Sequence, residues 1–225
     1  MPRLSVITPT CRGIKELSQL LRDFRNQTMP KDAWEHIIVR DGEPSQEIID
    51  LMKREGNPNT VFCNIPKDAG DMRIAPGTRP RNHGVSIAKG EWLVFADDDD
   101  RYKDTYVETL MSGSNETVMA VVQMSCQESR MYKNGNPNRT VLVPEVGLNV
   151  FPVVCHMGTP CFTVRREWAV ECPWQHEPEH DYRFIKRIVE KFHPQVNFIP
   201  GMLVDVDGIV LKGMKDWVSY PPFYR

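Results

Sequence analysis

The 225-residue chain is 40% hydrophobic and 26% charged, which suits one α/β domain, or a domain with a short appendage, large enough to bury a proper core. Lysines and arginines number 28 against 30 aspartates and glutamates, so net charge makes no case for binding nucleic acid or an anionic membrane. No apolar stretch approaches the ~18 residues of a membrane-spanning helix, and the six cysteines show neither a C-x-x-C pair nor zinc-knuckle spacing, so they read as reduced, mostly core thiols of a cytoplasmic protein.

Residues 4–8 read as a strand, so near the start that no room is left for a signal peptide. A loop, Pro9 to Gly13, follows. Leu17, Leu20, Leu21 and Phe24 then fall at i, i+3, i+4 and i+7, the apolar face of a helix. Residues 36–39 form a second buried strand, closed by Arg40-Asp41-Gly42. Ser45 is placed to cap a helix carrying Ile48, Ile49, Leu51 and Met52, with Glu47 in its first turn. Residues 61–65 make a shorter third strand. A Gly/Pro-rich loop from Lys67 to Pro80 leads into a helix over residues 81–89, which Gly90 ends.

The apolar run Trp92-Leu93-Val94-Phe95-Ala96 reads as a strand buried on both sides, and it ends in four aspartates, Asp97 to Asp100. The β-α-β-α order up to this point predicts a parallel sheet with helices on both faces. Ligands in such sheets sit beyond the carboxyl ends of the strands. Carboxylates crowded there repel by roughly 3 kcal/mol per pair at ~5 Å and an effective dielectric of ~20. A hard divalent cation would relieve that repulsion; the alternative is a solvated acidic turn. Beyond Tyr106 the pattern loosens, with strands expected over residues 118–123, 141–143 and 159–164. Phe184, Ile185, Ile188 and Phe192 return to helical spacing. Residues 201–225 mix strand-like Leu203-Val204 with a Met- and aromatic-rich tail expected to pack against the body.

Three segments carry a family resemblance. Leu4-Ser5-Val6-Ile7-Thr8-Pro9-Thr10 is similar to the opening strand of family 2 glycosyltransferases of the GT-A fold, which ends in Pro-Thr. Trp34-Glu35-His36-Ile37-Ile38-Val39-Arg40-Asp41-Gly42 resembles the family's strand ending in Asp-Asp-Gly, with Arg40 in place of the first acid. Arg81-Asn82-x-Gly84-x-x-x-Ala88-Lys89-Gly90-Glu91, followed by Phe95-Ala96-Asp97-Asp98-Asp99-Asp100, is the most specific match. Order and spacing agree over roughly residues 3 to 110, then thin to Arg165-Arg166 and Glu179-His180-Asp181-Tyr182.

The resemblance implies a Rossmann-like, mostly parallel sheet flanked by helices, with a mixed C-terminal acceptor-side half. It implies one domain over residues 1–225: a nucleotide-sugar half to 103, an acceptor half from 104 to 200, and a tail. The implied reaction is transfer, with inversion, from a nucleoside diphosphate sugar (UDP first, then dTDP or GDP) to a hydroxyl on a glycan, lipid or protein. The implied cation is Mn²⁺ or Mg²⁺, and the implied location is the cytoplasm, free or peripheral to a membrane.

By the same resemblance Asp41 reads the base. An ionised carboxylate only accepts hydrogen bonds, so it favours a base presenting an N–H; the alternative is a plain Asp-Gly turn. Pro9, Thr10 and Arg12 wall the nucleotide pocket, and Lys67 and Asp68 rim it. Arg81 and Asn82 open a helix from which a guanidinium and backbone N–H groups converge on anionic or carbonyl oxygens, or else simply start a solvated helix. Asp97-Asp98-Asp99 is similar to the D-x-D motif, in which Asp97 faces the ribose and contributes to the cation site and Asp99 ligates the metal; Asp98 and Asp100 rank lower. Asp181 matches the second acid of the family's base pair, with His180 replacing the first. Its alternative role, shared with Glu177 and Glu179, is compensation of a helix dipole.

His176-Glu177-Pro178-Glu179-His180 also fits the zinc-protease pattern H-E-x-x-H. That motif needs one continuous helix, and Pro178 inside it would cost ~3 kcal/mol or more; proline is better placed at the first helical position. Two further readings are a nucleotidyltransferase, which wants more than the single glycine of Pro9-Thr10-Cys11-Arg12-Gly13, and a catalytically silent glycan-binding domain, which would lack the metal acids or the base.

Overall fold

The computed structural model describes residues 2–67, 75–128, 135–136, 139–144, 152, 157–206 and 217–218. Its first sheet is built from β1 (Leu4–Thr10), β2 (Trp34–Asp41), β3 (Thr60–Ile65) and β4 (Trp92–Phe95). Every residue of β1 and β4 is buried, as a strand without polar alternation requires. The four strands pair in parallel in the order β3-β2-β1-β4, and β8 (Val164–Arg165) closes the edge antiparallel to β4. The chain thus steps outward from β1 to β3 and returns to the other side of β1. That return makes the β1–β4 boundary the topological switch point, where open α/β sheets bind ligands.

Helix α1 (Ile14–Arg25) buries Leu17, Leu20, Leu21 and Phe24, the face its spacing predicts. Ser45 caps α2 (Gln46–Glu55), its hydroxyl accepting the Ile48 N–H at 3.4 Å. Helix α3 (Thr78–Ile87) begins a turn earlier than the expected residue 81. Pro80 falls inside its first turn, where a missing N–H costs nothing because the first four have no helical partner. Gly77, at φ 80, sets the turn before it. The exit from α3 is held by a buried carboxylate: Glu35 Oε1 accepts from Ser5 Oγ and the Lys89 N–H, both at 2.6 Å, and Ser5 Oγ accepts from the Gly90 N–H at 2.9 Å. This fixes where β4, and so the aspartate run, begins.

The second sheet contains β5 (Arg101–Tyr102), β6 (Val118–Gln127), β7 (Thr140–Val143), β9 (Gln195–Asp205) and β10 (Trp217–Val218), ordered β10-β7-β6-β9-β5. β6 runs parallel to β9 and β7 to β10, while β7–β6 and β9–β5 are antiparallel, so the expected mixed half is present. Helices α4 (Tyr106–Gly113), α5 (Arg166–Glu171) and α6 (His180–Phe192) complete the fold. One continuous buried cluster runs from Leu4 and Phe24 through Phe95 and Phe162 to Phe184 and Val204. Cys126, Cys161 and Cys172 are buried and unbridged, while Cys11 is exposed.

Three expectations need correction. The strand expected over 159–164 is a 3-10 turn at Thr159–Cys161 followed by the short β8, because Pro160 cannot donate to a ladder. Pro178 is not the first residue of α6: Glu179 adopts a left-handed conformation at φ 54 and the helix starts at His180. Arg187, from within α6, grips Glu177 and the Pro173 carbonyl, folding the preceding segment back along the helix. Strand β9 spans eleven residues where only Leu203-Val204 suggested a strand. Pro200-Gly201 resembles a turn in sequence but sits near a register shift opposite Gln123, with Gly201 at φ 117. Of the tail, residues 207–216 and 219–225 lie outside the described residues, and Trp217–Val218 pairs with Thr140 and Val141.

Candidate active site

A cavity of about 310 Å³ opens over the carboxyl ends of β1 and β4. Pro9 and Thr10 enter it from β1, Arg12 from the loop that follows, Asp41 from β2, Arg81 from α3, Asp97, Asp98 and Asp99 from the end of β4, and His180 and Asp181 from the start of α6. Residues separated by up to 172 positions meet because two elements flank the switch point and three helix or strand ends face it.

The aspartates are differently held. Asp97 takes Arg81 Nη2 on Oδ1 at 2.7 Å and the Thr159 hydroxyl on Oδ2 at 3.0 Å. Its backbone carbonyl accepts from Tyr102 Oη at 2.9 Å, anchoring the acidic loop to β5. Asp98 is buried, accepting from Thr10 Oγ1 at 2.6 Å and facing Arg12 Nε at 3.2 Å. Burial pushes its carboxyl up to about 6; Asp99 and Asp97 reinforce that shift, while the Thr10 hydrogen bond and Arg12 oppose it. Asp99 is more open and meets Arg12 Nη2 at 2.5 Å.

At the start of α6, His180 Nε2 lies 2.9 Å from Asp181 Oδ1. The approach lacks hydrogen-bonding alignment, so this buried oxygen has no hydrogen-bond donor. Arg81 also donates to the Pro76 carbonyl at 2.9 Å and lies over the Trp174 ring, 4.9 Å from its centre. Trp174 in turn stacks on Phe184 of α6 at 4.0 Å and 8°. Arg81 is therefore a strut as well as a lining residue, tying the acidic loop to the helix that carries Asp181.

Asn82 departs from its expected place. Both ends of its amide are spent on the backbone of Trp174, donating to O and accepting from N at 2.9 Å each, and it does not line the cavity. Its task is to clamp α3 to the segment before α6. Lys67 lies beside Gly42, whose added Cβ would stand 3.5 Å from the lysine Cβ; Asp68 lies outside the described residues. His176 and His180 share no helix, and His176 lines a separate crevice beside Arg79. Thr159 and Trp174 carried no sequence signal as site residues: one sat in an expected strand, the other in an unassigned segment. Pro76-Gly77 is a turn dipeptide that marks the earlier start of α3.

Residues 5–172 match the profile of Glycosyl transferase family 2. The chain belongs to that family. It is 34% identical over 100 residues to a poly(ribitol-phosphate) beta-glucosyltransferase from Bacillus spizizenii, an alignment covering 44% of this chain and 15% of the relative. In structure it resembles residues 1–349 of TarS from S. aureus, solved with UDP, at a TM-score of 0.66 and 18% identity over 91% of this chain and 60% of that one. A mannosyltransferase from Pyrobaculum calidifontis, solved with GDP-Man and Mn²⁺, gives a TM-score of 0.63 and 15% identity over 91% of this chain and 56% of that one. The chain thus spans a fraction of these proteins, and the GT-A likeness concerns the fold.

The cavity holds five carboxylates, Asp41, Asp97, Asp98, Asp99 and Asp181, against two guanidiniums, Arg12 and Arg81. Among the described residues no group of three or more His, Cys, Asp or Glu side chains is arranged to hold a metal ion. The all-carboxylate donor set nonetheless fits Mg²⁺ or Mn²⁺, since such cations are held through one or two carboxylates, with substrate phosphates and water completing the shell. Within the aspartate run, Asp99 and Asp97, with side chains 29% and 32% exposed, are the acids open to the cavity. No helix among the described residues is long and apolar enough to cross a membrane.

Proposed function

We propose that this chain transfers a sugar from a nucleoside diphosphate donor to an acceptor hydroxyl, with inversion and with Mn²⁺ or Mg²⁺. The observation that carries the reading is the convergence, in one cavity at the switch point, of Asp97 to Asp99 with Asp181 from the start of α6. UDP is the first choice of nucleotide, then dTDP or GDP; bound UDP in TarS and GDP-Man in the mannosyltransferase support that set. A glycan, lipid or protein supplies the acceptor. Residues 1–103 act as the donor half, 104–200 as the acceptor half, and the enzyme works in the cytoplasm or at a membrane surface.

Asp41, at the end of β2, accepts the N–H of the base. Pro9, Thr10 and Arg12 wall the nucleotide. Asp97 faces the ribose and shares the cation site, with its orientation fixed by Arg81 and Thr159. Asp99 is the principal metal ligand, and a divalent cation there would neutralise diphosphate charge as the leaving group departs. Asp98, buried beneath them, holds Thr10 and Arg12 in position. Asp181, which lines the cavity with its side chain 31% exposed, is placed to take the proton of the acceptor hydroxyl. His180 beside it orients the carboxylate.

A panel of UDP-, dTDP- and GDP-sugars, assayed for donor hydrolysis with Mn²⁺ and with EDTA, tests the reading. Hydrolysis of one donor that EDTA abolishes is the expected result. Retention of full hydrolysis in EDTA, or thermal stabilisation by none of the nucleotides with Mn²⁺, overturns it.

A further inference from the structure

Arg40 stands where relatives of the resembled pattern carry an acid, and the structure gives it a partner. Its Nη1 donates to the backbone carbonyl of Arg12 at 2.7 Å, and its Nε to the Glu43 carbonyl at 3.3 Å. The Arg12 N–H, for its part, donates to Thr10 Oγ1 at 3.3 Å. The short loop after β1 is therefore pinned on both sides of Arg12, and its guanidinium spans the switch point to Asp98 Oδ1 at 3.2 Å and Asp99 Oδ2 at 2.5 Å. The Arg12 side chain is 48% exposed, so nothing packs it rigidly in place.

We infer that Arg12 is an internal counter-cation for the aspartate cluster, which makes entry of the divalent cation depend on the nucleotide diphosphate. The inference rests on the donor reading above and adds the order and coupling of binding. In the free protein the guanidinium neutralises Asp99. A bare divalent cation approaching that carboxylate meets a positive charge already on its ligand, and displacing Arg12 from Asp99 takes from the guanidinium the nearer of its two anionic partners, leaving only Asp98 at 3.2 Å. A cation arriving with a diphosphate changes the exchange: Asp99 passes to the metal, and Arg12 passes to phosphate oxygens that its planar fork suits. Charge is matched before and after, and no bond other than hydrogen bonds and coordination is exchanged. Arg40 is a positioning residue in this scheme, since it acts through the Arg12 backbone.

The test measures Mn²⁺ binding to the full chain from the loss of the free-ion electron paramagnetic resonance signal, with and without UDP. Wild type is compared with Arg12→Met, Arg12→Lys and Arg40→Met, each first shown to be folded by circular dichroism. Wild type is expected to bind bare Mn²⁺ weakly and to gain tenfold or more from UDP. Arg12→Met is expected to bind bare Mn²⁺ on the order of tenfold more tightly than wild type, with the gain from UDP reduced by a similar factor. Arg12→Lys, which keeps the charge without the fork, stays near wild type, and Arg40→Met moves a few-fold toward Arg12→Met. Equal bare-Mn²⁺ affinity and equal UDP gain in wild type and Arg12→Met overturn the inference, while Mn²⁺–UDP binding by both leaves the donor reading standing. Failure of wild type to take up Mn²⁺ even with UDP strikes the donor reading itself and this inference with it.

Discussion

Replacing Asp98 with asparagine is expected to stabilise the protein at neutral pH and to lose that advantage in acid. Asp98 is 8% exposed, and its carboxyl titrates at about 6 instead of the ordinary 3.8, chiefly through burial. Its folded-state affinity for a proton exceeds the unfolded one, so ionisation opposes folding. The opposition is absent below about 3.8, grows between there and about 6, and is complete above. A shift of this size is worth roughly 3 kcal/mol, or roughly 6–12 °C in melting temperature for a domain of this length. Asparagine keeps the shape and can hold Thr10 and Arg12 through its amide, without the buried charge. Thermal unfolding of both proteins from pH 4 to pH 8, without metal or nucleotide, reads the difference directly. His36, whose pKa burial lowers to about 3, acts with the opposite sign: its contribution is full above its ordinary 6.5 and is lost as pH falls toward 3. It is common to both proteins and cancels in the comparison. A mutant less stable than wild type at pH 7.5, or an advantage that does not shrink toward pH 4, refutes the reasoning.

Three other substitutions separate the roles assigned to the site and to the frame that holds it. Asp99→Asn should lower Mn²⁺-dependent turnover by about a hundredfold or more; unchanged turnover at saturating Mn²⁺ would remove Asp99 from the cation site. Asp181→Asn should cut transfer by roughly 10² to 10⁴-fold while Mn²⁺–UDP binding, followed by calorimetry, stays within a factor of two or so of wild type; equal losses in binding and transfer would argue for a structural acid. Gly90→Ala should destabilise by about 1–3 kcal/mol or more, because its Cβ would lie 2.5 Å from the backbone nitrogen of Ser5 and 2.6 Å from the Leu4 carbonyl carbon. An unchanged urea midpoint would show that β1 and the α3–β4 turn yield more easily than their packing implies.

The first half of the chain was legible because its signals are local. The 3-4-7 spacing of Leu17, Leu20, Leu21 and Phe24, the cap at Ser45 and the unbroken apolar run before Asp97 each report on neighbours within a turn or a strand. Asp97 to Asp99 were legible at the cavity for the same reason, since a strand end points where its sheet directs it; Asp181, at a helix start, was reached only through the family resemblance. The second half resisted because its determinants are distant. β9 pairs with β6 across roughly eighty positions and tolerates a proline and a left-handed glycine through a register shift. Asn82 looked like a donor contact by its place at a helix start, but its amide is claimed by Trp174, ninety-two residues on. Thr159 and Trp174 enter the site only through tertiary packing, which no spacing rule reaches.

The same distant contacts explain how an acidic cavity keeps its geometry without collapsing outward. Five carboxylates share it, and two arginines are placed on different acids and tied to different elements. Arg81 is 4% exposed and holds Asp97 while stacked on Trp174, so the α3–α6 frame and the orientation of that acid are one unit. Arg12 is nearly half exposed and holds Asp99 from a loop, so its contact is the one that can be exchanged. A fixed cation and an exchangeable cation on adjacent acids divide the work. In the proposed scheme the first would preserve the shape of the site, and the second would release Asp99 when charge of the right sign and valence arrives. Swapping these environments, by burying Arg12 or exposing Arg81, would give either a site that never opens to metal or one whose acids drift apart in its absence.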